Sequence, residues 1–199
     1  MRAARKVFLR DGYERATVAA IAATAGTSPA TLYKHFPTGK AQIFGEVVSE
    51  GAGTVFPAVQ NAADGRQTAE EALRGFAHAY ARMLLDPKTA GFFRIVIAET
   101  PKLPELGEQW QNAKERIARE LGRLLAERGG SELHVTDIPL AADQLLGLLV
   151  YALVWPALLT PGWRPKSGEI ERAVEESIAT FLARYARTSS RGTSVRIAQ

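Results

Sequence analysis

The segment "TLYKHF" at 31–36 sets a threonine, a tyrosine, a lysine and a histidine on a stretch too short to bury them. Thr17, Thr27, Ser28, Pro29 and Ala30 lie just upstream, and Lys40 just downstream. Small hydroxyls and an alanine at the start of a helix can enter a major groove. A phenol, an ammonium and an imidazole near its end, here Tyr33, Lys34 and His35, can reach flanking phosphates. Two readings follow from the residues alone: a nucleic-acid contact, or a polar surface helix with a half-buried tyrosine. Catalytic groupings are harder to find. The chain has no cysteine, which excludes thiolate and disulfide chemistry and fits an intracellular location. His78 and His134 lack metal-ligand spacing, and a lone histidine in "FAHAY" is more often packed than ligating. "GAGTVF" at 51–56 lacks the third glycine and the preceding strand of a nucleotide loop. No Ser-His-Asp set assembles. The expectation is a protein with no catalytic site, no metal and no cofactor.

Helices must position these residues, since no segment alternates with period two over a useful length and the fold class is all-α. A first helix over 2–11 places Ala4, Val7 and Phe8 on one face and stops at "DGY". Thr17 precedes "VAAIAATA" as an N-cap, and Gly26 follows it as a left-handed stop. Ser28-Pro29 opens the next helix, serine as cap and proline at the first position. Ala22, Gly26 and Leu32 then have helix-turn-helix spacing: a small residue for close approach, a turn glycine, and an apolar anchor. Charge supports this reading. Residues 1–45 carry Arg2, Arg5, Lys6, Arg10, Arg15, Lys34 and Lys40 against Asp11 and Glu14, a net +5. The rest of the chain is near neutral at −1, so a polyanionic partner would engage the head alone.

"FLRDGYERATVAAIAATAGTSPATLYKHFPTGKAQIF" at 8–44 resembles the DNA-binding head of the TetR family of bacterial transcriptional regulators, a resemblance that covers about residues 3–48. The resemblance rests on "GY", a threonine before the second helix, "IA…AG.S..TLY.HF" and a lysine soon after. It implies that Thr17 touches phosphate, that Ser28, Ala30 and Thr31 face bases or nearby backbone, and that Tyr33, His35 and Lys40 contact phosphates. "AGFFRIVIAETPKLPELGEQW" and its surroundings, about 85–165, resemble the C-terminal domain of the AefR-like subgroup. Together they imply a homodimer whose heads bind double-stranded operator DNA and whose body binds a small effector.

Further helices are expected at about 39–62, 67–85, 89–99, 103–128, 137–159 and 167–187. The chain divides into a head at 1–45, a body at 46–187, and a loose polar tail at 188–199. Gly51, Gly53 and Pro57 should weaken the fourth helix, which alone runs continuously from head to body. Phe76, Tyr80 and Met83 form one stripe and, with Phe92, Phe93, Trp110, Tyr151 and Trp155, are candidates for an apolar effector cavity, each weighed against plain core packing. Gln144 to Trp163 carries no charge, but its apolar run is short of a membrane span and contains Pro156. It reads as a helix buried from every side, with no membrane partner and a cytoplasmic location. Leu145 and Leu149 from that helix, with Val174, Ile178, Phe181 and Leu182 from the last, are candidates for a four-helix dimer interface. The alternatives for the body are a regulator without a small-molecule effector and, less well supported by the residues, an enzyme.

Overall fold

A computed structural model describes residues 1–52, 68–129, 132–160 and 162–187. Nine α-helices order these residues, as the all-α reading expects: α1 Arg2–Arg15, α2 Val18–Ala25, α3 Pro29–His35, α4 Lys40–Ala52, α5 Ala69–Leu85, α6 Pro87–Glu99, α7 Pro104–Gly129, α8 Ile138–Leu159 and α9 Glu169–Tyr185. One isolated antiparallel bridge, Leu133 to Ala186, ties the end of α9 to the loop before α8. The expected run of α4 to residue 62, with Gly53 and Pro57, and the tail at 188–199 lie outside the described residues.

Local chemistry explains the boundaries. α1 breaks where the sequence places its stop, at Gly12 with φ 76°, and one further turn carries it to Arg15. Thr17 caps α2 through its hydroxyl, which accepts from the Ala20 N–H at 3.0 Å. Gly26 closes α2 in the left-handed region, φ 67° and ψ 34°, and lets the Thr27 N–H reach the Ala22 carbonyl at 3.0 Å. Thr68 and Glu71 form a reciprocal capping box at the start of α5. Pro156 does not interrupt α8, which continues to Leu159. The proline removes one N–H bond only a turn from the helix end, where little helix remains to be lost.

The head is α1 to α3, and α4 joins it to a body of α5 to α9. α4 packs on both α1 and α7, and α1 also packs on α6. Phe8 and Tyr13 of α1, Phe44 of α4 and Phe92 of α6 share one buried aromatic cluster. Phe44 lies 5.2 Å from Phe8, 5.4 Å from Tyr13 and 5.3 Å from Phe92. Head and body thus share one core, which α6 enters as well as α4. At Gly45 a Cβ would overlap the Gln109 side chain, so the glycine makes room for that side chain where α4 packs on α7.

Two expectations about the last helices are corrected. α8 is not buried on all sides. It is long and apolar enough to cross a membrane by length and composition, yet one face packs against α5, α7 and α9 while the other is open. Leu140, Leu148, Tyr151, Trp155 and Leu159 are exposed on that open face. Leu145, Leu149, Val174, Ile178 and Phe181 are instead buried within the protomer, and Leu182 is half-buried against the same core. The five buried ones are used within the protomer, where α8 and α9 pack on α5 and on each other, and of the six only Leu182 keeps accessible surface. A stripe of apolar residues marks a buried face but not its partner.

Candidate nucleic-acid interface and body cavity

α3 contributes no fully buried residue. Leu32 and Phe36 alone turn toward the core, half-buried, and hold the helix on α2. Ser28, Pro29, Ala30, Thr31, Tyr33, Lys34 and His35 are exposed, and Thr27 at the turn is half-buried. The Ser28 hydroxyl accepts from the Thr31 N–H at 3.1 Å, and the two hydroxyls lie 2.9 Å apart. Both retain capacity for a further partner. Tyr33, Lys34 and His35 make no side-chain hydrogen bond among the described residues, and Tyr33 is 51% exposed. Of the polar side chains of "TLYKHF", only Thr31 is paired locally.

Lys40 departs from this pattern. Its ammonium donates to the Tyr13 carbonyl at 2.9 Å and the Glu14 carbonyl at 3.1 Å, and sits 4.4 Å from the centre of the Tyr13 ring. These are the free carbonyls at the end of α1, where a cation is favoured. Two of the three N–H donors of Lys40 thus hold α1 to α4, which leaves one for the phosphate contact expected of it. The glycine before it matters to Tyr33: a Cβ at Gly39, φ 73°, would stand 3.2 Å from the Tyr33 ring.

In the body lies a cavity of about 610 Å³, within the range that holds small molecules. Tyr80, Met83, Phe92, Phe93 and Trp110 line it, as the sequence expects. Phe93 and Trp110 form an aromatic corner with ring centres 4.0 Å apart. The other three candidates lie elsewhere. Phe76 is fully buried behind Tyr80, stacked on it at 5.9 Å. Tyr151 and Trp155, 75% and 48% exposed, sit on the open face of α8. Helical spacing could not separate the two faces of an apolar helix.

Sequence reading missed the rest of the lining. Arg5 of α1 and Val47 and Val48 of α4 bring the head to the cavity wall, and α8 contributes Asp143, Leu146, Gly147 and Val150. No local signal marks them, since each comes from a helix packed across the cavity. Arg5 is ion-paired with Glu50 at 2.6 Å and Asp143 with Lys114 at 3.2 Å. Asp86 caps α6, accepting from the Lys88 N–H at 2.8 Å. Burial, with the Asp143 charge nearby, pushes the Tyr80 phenol well up, so it is a neutral donor. Among the described residues no group of three or more His, Asp or Glu is gathered as a metal would need.

Comparison with known proteins agrees with this geometry. Residues 1–47 match the bacterial regulatory proteins of the tetR family, and residues 71–187 match the AefR-like transcriptional repressor C-terminal domain. A TetR-family transcriptional regulator from Mesorhizobium loti superposes with a TM-score of 0.78 at 30% identity, over 94% of each chain. The flavonoid-responsive regulator FrrA superposes at 0.71 with 28% identity, over 94% of this chain and 95% of that one. A TetR-family regulator from Pseudomonas syringae pv. tomato gives 0.68 at 26% identity, with the same coverage. No curated protein matches significantly. The chain belongs to the TetR family of transcriptional regulators, with a DNA-binding domain at its N-terminus and an AefR-like domain at its C-terminus.

Proposed function

We propose that this protein is a ligand-responsive repressor that binds a palindromic operator as a homodimer. A small, largely apolar effector releases it by filling the body cavity. The observation that carries the reading is α3, a helix with no fully buried residue whose outward side chains, Thr31, Tyr33, Lys34 and His35, fit groove and phosphate chemistry. Ser28, Pro29 and Ala30 at its start enter the groove beside them, and Thr17 and Thr27 border the backbone. It acts in the cytoplasm, where its DNA is.

Dimerisation uses the open face of α8. Leu148, Tyr151, Trp155 and Leu159 make an exposed apolar stripe, and Ala179 and Ala183 on α9 are small enough for close packing beside it. Covering that stripe also accounts for the apolar character of α8 without a membrane. The aromatic lining of the cavity supports an aromatic effector, in keeping with the flavonoid-responsive neighbour FrrA. Release follows if cavity contents move the head, since Val47, Val48 and Phe92 belong both to the cavity wall and to the core joining α4, α6 and α1.

Selection of bound duplexes from a random pool tests this reading. An enriched inverted repeat with half-sites about one helical turn or more apart is expected. A pool with no enriched repeat would overturn it.

A further inference from the structure

We infer that Tyr80 is the specificity-determining hydrogen-bond donor of the cavity, and that its ligand is an aromatic molecule presenting a carbonyl oxygen. The inference rests on the cavity being the effector site and deepens that reading.

Buried tyrosines usually find a partner for the hydroxyl. Tyr185 does: its hydroxyl donates to Gln144 Oε1 at 2.6 Å. Tyr80 does not. It is 5% exposed, and its hydroxyl makes no hydrogen bond with any described residue. Among the described residues, the fully occluded side-chain oxygens without a partner are Glu99 Oε2 and Thr100 Oγ1. Tyr80's is not among them, so the hydroxyl opens on the cavity that its residue lines. Phe76, stacked behind the ring, fixes its direction.

The phenol keeps its proton far above physiological pH, and because its oxygen lone pair is shared with the ring it donates better than it accepts. The complementary ligand atom is an acceptor. Charge argues against a cation: Asp143 is paired with Lys114, and Asp86 is engaged at the α6 N-terminus. Asp86 and Asp143 are also outnumbered on the lining by Arg5, Arg82, Lys88 and Lys114, which disfavours an ammonium group. The facing wall, Phe92, Phe93 and Trp110, is aromatic and suits stacked or edge-on rings. A ring system with one carbonyl satisfies wall and donor together. A saturated chain would leave the donor unpaired, at a cost larger than the net gain of an ordinary hydrogen bond.

Benzophenone and diphenylmethane are matched probes, alike in shape and differing in the carbonyl. Calorimetric titration of each into the wild-type protein and Tyr80→Phe tests the assignment, with thermal unfolding of both ligand-free proteins alongside. Wild type should bind the ketone roughly tenfold tighter than the hydrocarbon. Tyr80→Phe should abolish that preference, leave diphenylmethane binding unchanged, and unfold at no lower temperature, because the hydroxyl has no structural partner to lose. A preference that survives in Tyr80→Phe, or no preference in wild type, would overturn the inference. So would a lower unfolding temperature, which would make the hydroxyl a structural group. Binding of neither probe would fail at an earlier step, removing the cavity as the effector site and Tyr80's role with it.

Discussion

Lys40→Met separates the two roles open to one lysine, holding the end of α1 and contacting a phosphate. The substitution keeps most of the stem and removes the ammonium, which makes two hydrogen bonds to the α1 carbonyls and covers the Tyr13 ring. A hydrogen bond from a charged donor is worth about 1.5–3 kcal/mol when buried, and a cation at a helix C-terminus about 0.3–1 kcal/mol. Lys40 is half-buried and its bond to Glu14 is exposed, so solvent screens part of both. A loss of about 1–2 kcal/mol is expected. At about 2–4 °C per kcal/mol for a chain of this size, the unfolding temperature should drop by roughly 2–8 °C. Calorimetry measures the drop, and operator binding across a salt series measures the other role. A phosphate contact contributes about 0.9 to the slope of log K against log salt. The structure predicts a lower melting temperature. A slope reduced by about one with melting unaffected would show Lys40 on DNA and refute the assignment.

Other substitutions test the remaining parts. Lys34→Ala and Tyr33→Ala should weaken binding to all duplexes, and Lys34→Ala should reduce the salt slope by about one, as a salt series will show. Tyr151→Glu or Trp155→Glu should give a folded monomer by light scattering and circular dichroism, because the side chains are exposed on α8. Ile178→Glu, by contrast, should unfold the protein, since it places an unpaired charge in the protomer core at a cost of several kcal/mol. A dimer that persists in both exposed variants would exclude the α8 face. Phe92→Leu should cost about 1–2 kcal/mol of stability and reduce the effect of cavity ligands on operator affinity. Its ring lines the cavity and touches Phe44 and Phe8. Anisotropy titrations with and without benzophenone measure that effect, and an unchanged ratio would remove Phe92 from the coupling path.

Features written by adjacent residues were legible in the sequence. Thr17, Gly26 and Ser28-Pro29 act within a turn of their own position, so caps and stops followed from spacing alone. The exposed face of α3 followed from Leu32 and Phe36 being its apolar anchors. What failed depended on partners distant in sequence. Ile178 and Phe181 formed a correct apolar stripe, but only packing shows that α5 and α8 consume it. Tyr151 and Trp155 were grouped with Tyr80 because α8 is apolar on every face and periodicity gives no direction. Lys40 lies near α3 in sequence, while carbonyls at the end of α1 engage it in space. Arg5 carries no local mark of a cavity residue, since α4 and α6 must assemble before that wall exists.

Hydroxyl-radical footprinting on a duplex recovered by selection tests the central claim most directly. Two α3 helices related by a dyad should protect two symmetric backbone patches on one face of the duplex, centred about 34–36 Å or a whole number of further turns apart. Lys34→Ala should weaken both patches equally. A single asymmetric patch, or two patches on opposite faces of the duplex, would contradict a dimer reading inverted half-sites through α3.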